Sequence, residues 1–323
     1  MSLQKKHQKP VPQFVLETRR QQIWGSTHAM EFLLLGAGGG VFLINLLLGS
    51  EIDLVLSFAL VVSGAVVLIL DIGHKLRLRH VFSHFRTSWV SRGAISVLVF
   101  LCATSLLLLA RYFSASFGYY PQVELVLKAA GACASLTVMV YPAFVLAASR
   151  SIPLWHQPVL TPLMFAQSAI SGLAAVSIVG AVTGQGSAYS WAMDSGTLVL
   201  IAAILSMVGI LLYVLSRSNA AGRESAHLLS RGGYSRFFVA GIVLGLIIPS
   251  CLTAYALVFN GYLASAATVA AGALVLAGSF LFRFSILKSG VRDPLIEDAE
   301  LTRRFERRQN WDAADISAGV VRQ

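Results

Sequence analysis

Charge is scarce in this chain. Only 12% of its 323 residues are Asp, Glu, Lys or Arg, where a soluble domain carries roughly 25%. Cysteine is scarcer still, at three residues: Cys102, Cys133 and Cys251. They form no C-x-x-C pair, so the chain supplies neither an iron–sulfur cluster nor a zinc site of its own. All three fall inside apolar runs and read as buried structural thiols. No pair of histidines stands inside those runs to hold a haem, and His28 is the single histidine near helical depth. The opening 28 residues, MSLQKKHQKPVPQFVLETRRQQIWGSTH, are polar for too long to be a signal peptide, and no small-residue cleavage site follows. The first apolar run is therefore expected as a retained helix.

Hydrophobic residues make up 56% of the chain. They gather into successive runs of roughly 20 residues, each about the thickness of a bilayer's hydrocarbon core. The reading is an all-α integral membrane protein, a bundle of about eight transmembrane helices. The helices are expected at 28–49, 53–71, 93–113, 123–148, 160–183, 196–216, 236–259 and 262–284. Residues 1–27 form an N-terminal polar tail, 28–284 the transmembrane domain, and 285–323 a charged tail with room for one surface helix at Glu297–Arg308. Glycines 36, 38, 39 and 40 let helix backbones approach one another or a flat ligand.

The charges that are present orient the bundle. Lys and Arg gather in the N-terminal tail, in 75–92, at Arg150, in 217–236 and after Arg283. The loops near Glu51 and Asp53, at 184–195 and around 260 carry none, and Arg111 stands nearly alone at the third helix's far end. Basic and poor segments alternate, so all the basic ones fall at one end. The positive-inside rule puts that end, with both termini, in the cytoplasm. The same basic rim also suits docking of an acidic protein, which leaves the sidedness open to inversion.

Reactive side chains crowd that end. Trp24, His28 and Glu31 recur at the spacing of one helix face, with Glu31 about one turn deeper than His28. An ionisable group at that depth is costly, so Glu31 should face protein, a partner or a cavity. The segment DIGHKLRLRHVFSHFRTSWVSRGA follows the second run, with Asp71, His74, Arg77, His80, Trp89 and Arg92. Topology explains its cations but not its histidines. Tyr141 lies inside the fourth helix, and Trp155 and His156 lie in the connection after it. Tyr and Trp at such depths also serve as interface anchors.

These segments resemble a known family. DIGHKLRLRHVFSHFRTSWVSRGA looks like the D-x-G-x-x-x-R…SW-x-x-RG segment of the polysulfide reductase membrane subunits, the NrfD/PsrC family. YPAFVLAASRSIPLWHQPVLTPLMFAQSAISG resembles its second signature, and FFVAGIVLGLIIP and LAGSFLFRFSILKSG resemble its later helices. The similarity runs from Trp24 to Gly290. One departure is that the family's Arg-Pro after the first motif's Gly is here His74-Lys75.

The resemblance implies a membrane anchor of a respiratory oxidoreductase in the bacterial inner (cytoplasmic) membrane. Such an anchor exchanges electrons between a ferredoxin-like iron–sulfur subunit and the quinone pool, commonly alongside a molybdopterin catalytic subunit. It binds menaquinone or ubiquinone and holds no haem, iron–sulfur cluster or other metal itself. No nucleic-acid partner is expected. Quinone chemistry moves two electrons and two protons, so the pocket needs donors to the ring carbonyls and proton-exchanging groups. His28, whose type titrates near pH 6.5, Glu31, Asp71 and Tyr141 are the candidates for quinone binding and proton transfer. His74, Arg77, His80, Trp89, Arg92 and Trp155 are expected at the site's rim or on the docking surface. The competing classes are a secondary transporter and a proton-translocating module. No inverted repeat supports the former, and the latter needs a polar path that Glu31, Asn45, Thr137 and Lys128 are too sparse to supply.

Overall fold

A computed structural model describes residues 18–71, 86, 88–117, 121–184, 190–259 and 261–293. The expected surface helix at Glu297–Arg308 lies outside them. Every expected span is present, with ends shifted by a few residues. They are α1 (Ser26–Leu48), α2 (Glu51–Asp71), α3 (Trp89–Phe117), α4 (Pro121–Ala147), α5 (Leu160–Thr183) and α6 (Ser190–Ser216). A short α7 (Ala220–Ser230) precedes α8 (Ser235–Ile242), a π turn (Val243–Ile247), α9 (Ile248–Val258) and α10 (Tyr262–Lys288). Among the described residues eight helical segments are long and apolar enough to cross a membrane, with α8, the π turn and α9 running together as one. Pro249 lacks the N–H that would bond back to Gly245, and the helix widens to π geometry just before it.

The bundle is organised around α1 and α5. The most apolar stretch of α1 is 67% buried, against 28% for α2 and α6, so α1 sits at the centre and α2 and α6 at the margin. Helix α1 packs on α2, α4 and α5, while α5 packs on α6 and α10. Glycine makes the central contact possible. A Cβ on Gly172 of α5 would lie 2.6 Å from the backbone carbon of Gly40 on α1, so these two helices touch backbone to backbone. Gly38 and Gly39 likewise receive Val61 of α2 and Met139 of α4. The glycine patch is used for helix packing, one of its two readings.

One expectation is corrected. Cys102, Cys133 and Cys251 are exposed on the outer faces of their helices rather than buried. In a membrane bundle the outside is as apolar as the inside, so an apolar neighbourhood in sequence does not distinguish core from lipid.

The first and last described segments meet at the basic end of the bundle. Strand β1 (Arg19–Arg20) pairs antiparallel with β2 (Val291–Arg292), placing Arg20 opposite Val291. Gln21 continues the contact. Its backbone N–H donates to Gly290 O at 3.0 Å, and its buried side chain donates to Leu287 O at 2.8 Å and Trp24 O at 2.9 Å. Helix α7, which the spans alone do not reveal, lies at the same end. Asn219 caps it by accepting from Gly222 N–H and donates to Asp293 at 2.7 Å.

Candidate functional site

The site grows from the first turn of α1. Gly25 caps this helix and Ser26 opens it, so Trp24 stands just outside rather than on the helical face its spacing suggests. Its position comes instead from Gln21, whose Oε1 accepts the Trp24 N–H at 2.8 Å. The indole still meets His28, with ring centroids 4.5 Å apart. Behind it Trp155 meets Trp24 edge-on at 6.0 Å. Trp155 is itself 1% exposed and donates its indole N–H to Ile286 O at 3.2 Å. It therefore supports the wall from inside the protein.

Three helices bring the titratable groups together. Asp71, the last residue of α2, faces His28 with Oδ2 3.4 Å from Nε2. Their side chains are 36% and 18% exposed, so both are reachable from outside. One turn deeper on α1, Glu31 is 3% exposed and accepts a short hydrogen bond from the Tyr141 hydroxyl on α4. The four expected site residues thus form one group, with His28 and Asp71 in front and Glu31 and Tyr141 behind.

The Tyr141 ring is fixed by its neighbours. Phe32 meets it edge-on at 5.9 Å. Gly93 of α3 lies against its face so closely that an added Cβ would stand 2.5 Å from Tyr141 Cδ2. The same turn of α3 carries Trp89 and Arg92. Trp89 stacks on Phe144 of α4 at 4.4 Å and a 12° tilt, and the Arg92 guanidinium covers the Trp89 ring at 4.3 Å. Arg92 also donates to Arg86 O at 2.7 Å. His74, Arg77 and His80 lie outside the described residues.

Sequence reasoning missed a set of polar groups deeper in the bundle. Arg283 of α10 is 1% exposed and donates to Ser168 Oγ at 3.3 Å and Ser279 O at 3.4 Å. Ser279 donates to Gln167 Oε1 at 2.9 Å, and Ser171 donates to Ser279 Oγ at 3.2 Å. Ser168 also reaches Met139 O on α4 at 3.4 Å, within the helix that carries Tyr141. Serines in spans commonly bond only their own helix, as Ser168 also does at 2.9 Å to Met164 O. Nothing in their spacing therefore marked them. A lone arginine in the last apolar run was the available signal.

Among the described residues no three His, Cys, Asp or Glu side chains are grouped to hold a metal ion. The arrangement offers partly exposed imidazole and carboxylate groups backed by a buried phenol–carboxyl pair. Such a set can donate hydrogen bonds to an entering carbonyl and pass protons inward or outward. No curated protein matches the chain. The family model described as polysulphide reductase, NrfD, matches residues 14–292. The chain, a multi-pass membrane protein, therefore belongs to the polysulphide reductase NrfD family, membrane subunits of oxidoreductase complexes.

Proposed function

We propose that this protein is the quinone-reactive anchor of a respiratory complex, passing electrons between an iron–sulfur subunit and the membrane quinone pool. One observation carries the reading: His28, Asp71, Glu31 and Tyr141, from three helices, converge on one point at the basic end of the bundle. The donor set suits a quinone. His28 is the accessible donor to a ring carbonyl, and Asp71 holds its imidazole from the other side. Glu31 and Tyr141 are buried behind His28, so their part is to take or supply protons rather than to touch the ring first. Bound quinol supplies two electrons and two protons; the electrons leave for the partner and the protons leave through these groups.

Arg92, Trp89 and the arginines around α7 form a basic rim that suits an acidic, ferredoxin-like partner, with a molybdopterin subunit beyond it. The membrane is the bacterial cytoplasmic membrane, with the basic end and both termini inside. Menaquinone and ubiquinone both fit this chemistry. His28→Ala tests the reading in the purified complex with a soluble quinol analogue. Quinol oxidation is expected to vanish while the subunits still co-purify. Turnover equal to wild type would remove His28 from the mechanism. Mass spectrometry of the same complex identifies the catalytic partner.

A proton-translocating module is the second reading, favoured by the Ser168, Arg283, Ser279, Gln167 and Ser171 set, which joins polar groups of α5 and α10 to Met139 O on α4. In proteoliposomes, Gln167→Leu would then reduce protons moved per electron without changing quinol turnover. An unchanged ratio would leave the anchor reading alone.

A further inference from the structure

The opposite end of the bundle contains a cavity of about 810 Å³. It opens between the start of α2, the start of α6 and the turn from α9 to α10. Counting about 1.5 Å per residue along α1, it lies about 30 Å from His28. Its size falls in the range of organic ligands, roughly 300–1,000 Å³, and far exceeds a bare ion. Leu48, Val176, Met193 and Phe259 give it apolar walls, and the carboxylates of Glu51, Asp53 and Asp194 line it too.

Among the described residues that line it, none is lysine or arginine. Arg111 reaches Gly49 O at 3.4 Å but is engaged by Glu124 at 3.5 Å, and Lys128 holds the same carboxylate at 2.8 Å. Glu51 and Asp53 have an ordinary local role, since acidic residues in a first turn offset the positive end of the helix. Asp194 has none. It is the fifth residue of α6, beyond the first turn, is 7% exposed, and makes no hydrogen bond or ion pair among the described residues. A carboxyl group at this depth, unpaired and lining a cavity, is costly without a counter-charge.

We propose that the cavity binds an ammonium group carried on an apolar body, with Asp194 as its counter-ion and the apolar walls holding the chain. The natural occupant is an ammonium-headed phospholipid of the surrounding leaflet. Phe259, which lines the cavity, is 52% exposed, so the cavity adjoins the apolar outer face of the bundle. The site lies at the other end from the quinone chemistry and stands whether or not that reading does.

The test uses the full chain in phosphatidylglycerol nanodiscs, with two probes. Dodecylamine is compared with dodecanol by thermal shift, and phosphatidylethanolamine retention is read by native mass spectrometry. Wild type is expected to be stabilised by the amine and not by the alcohol, and to retain phosphatidylethanolamine. Asp194→Asn is expected to lose at least tenfold in affinity for both. Should that variant not fold, Ser177→Phe, which fills the cavity from α5 and keeps every carboxylate, is expected to lose both in the same way. Selective, Asp194-dependent binding of the amine without the lipid keeps the site and assigns it to a free amphiphilic amine. Equal response to amine and alcohol, or binding that neither substitution alters, overturns the proposal.

Discussion

Removing the Tyr141 hydroxyl should separate the structural from the chemical part of the buried pair. In Tyr141→Phe the ring keeps its edge contact with Phe32 and its place against Gly93. Only the donor to Glu31 disappears. Glu31 stays 3% exposed, so its acceptor loses its partner without gaining water, at a cost of about 1–3 kcal/mol. Glu31→Leu leaves the phenol stranded at a similar cost. With both partners apolar no polar group is orphaned, and the double variant should be more stable than the sum of the singles by about 1–3 kcal/mol. Turnover should behave differently. If the pair handles protons as a unit, each single and the double lose quinol oxidation equally, by about a hundredfold or more. Reversible unfolding in mixed micelles reads the first quantity and steady-state kinetics the second. Stability losses that add to within about 0.5 kcal/mol would refute the coupling.

Gly93→Ala should cost about 1–3 kcal/mol through overpacking against Tyr141 and lower quinol turnover with it; unchanged unfolding and turnover would contradict the contact. Asp71→Asn, at a pair open to solvent, should change stability by less than about 1 kcal/mol while quinol oxidation falls at least tenfold, measured on the same preparation. Replacing Cys102, Cys133 and Cys251 together by Ala should leave the unfolding transition within about 0.5 kcal/mol per site, because all three face outward. A larger loss would put them back in the core.

Span positions were legible because membrane thickness imposes a length on each apolar run, and α5 begins and ends where its sequence says. Which side of a span faces inward was not legible. Lipid and protein interior reward the same residues, and the cysteines fell on the wrong side of that ambiguity. At the site, spacing put His28 and Glu31 one turn apart on α1, and motif order brought Asp71 and Tyr141 into consideration. The hydrogen bond between Glu31 and Tyr141 joins residues 110 positions apart, and no local pattern encodes it. Gln21 was hidden for a similar reason. A glutamine in a polar tail looks solvated until Leu287, from the last span, takes its side chain.

That glutamine ties when the pocket can exist to how the protein is made. The residues that steady Trp24 come from the first and last described portions of the polypeptide. During synthesis, Gln21 emerges well before Leu287 and Gly290 and must wait for them before its hydrogen bonds to that later segment can form. Until the eighth helix has been threaded into the bilayer, the indole beside His28 has lost its strut. A ribosome stalled before that point leaves an anchor whose front wall is unfinished, so incomplete copies are not ready to react.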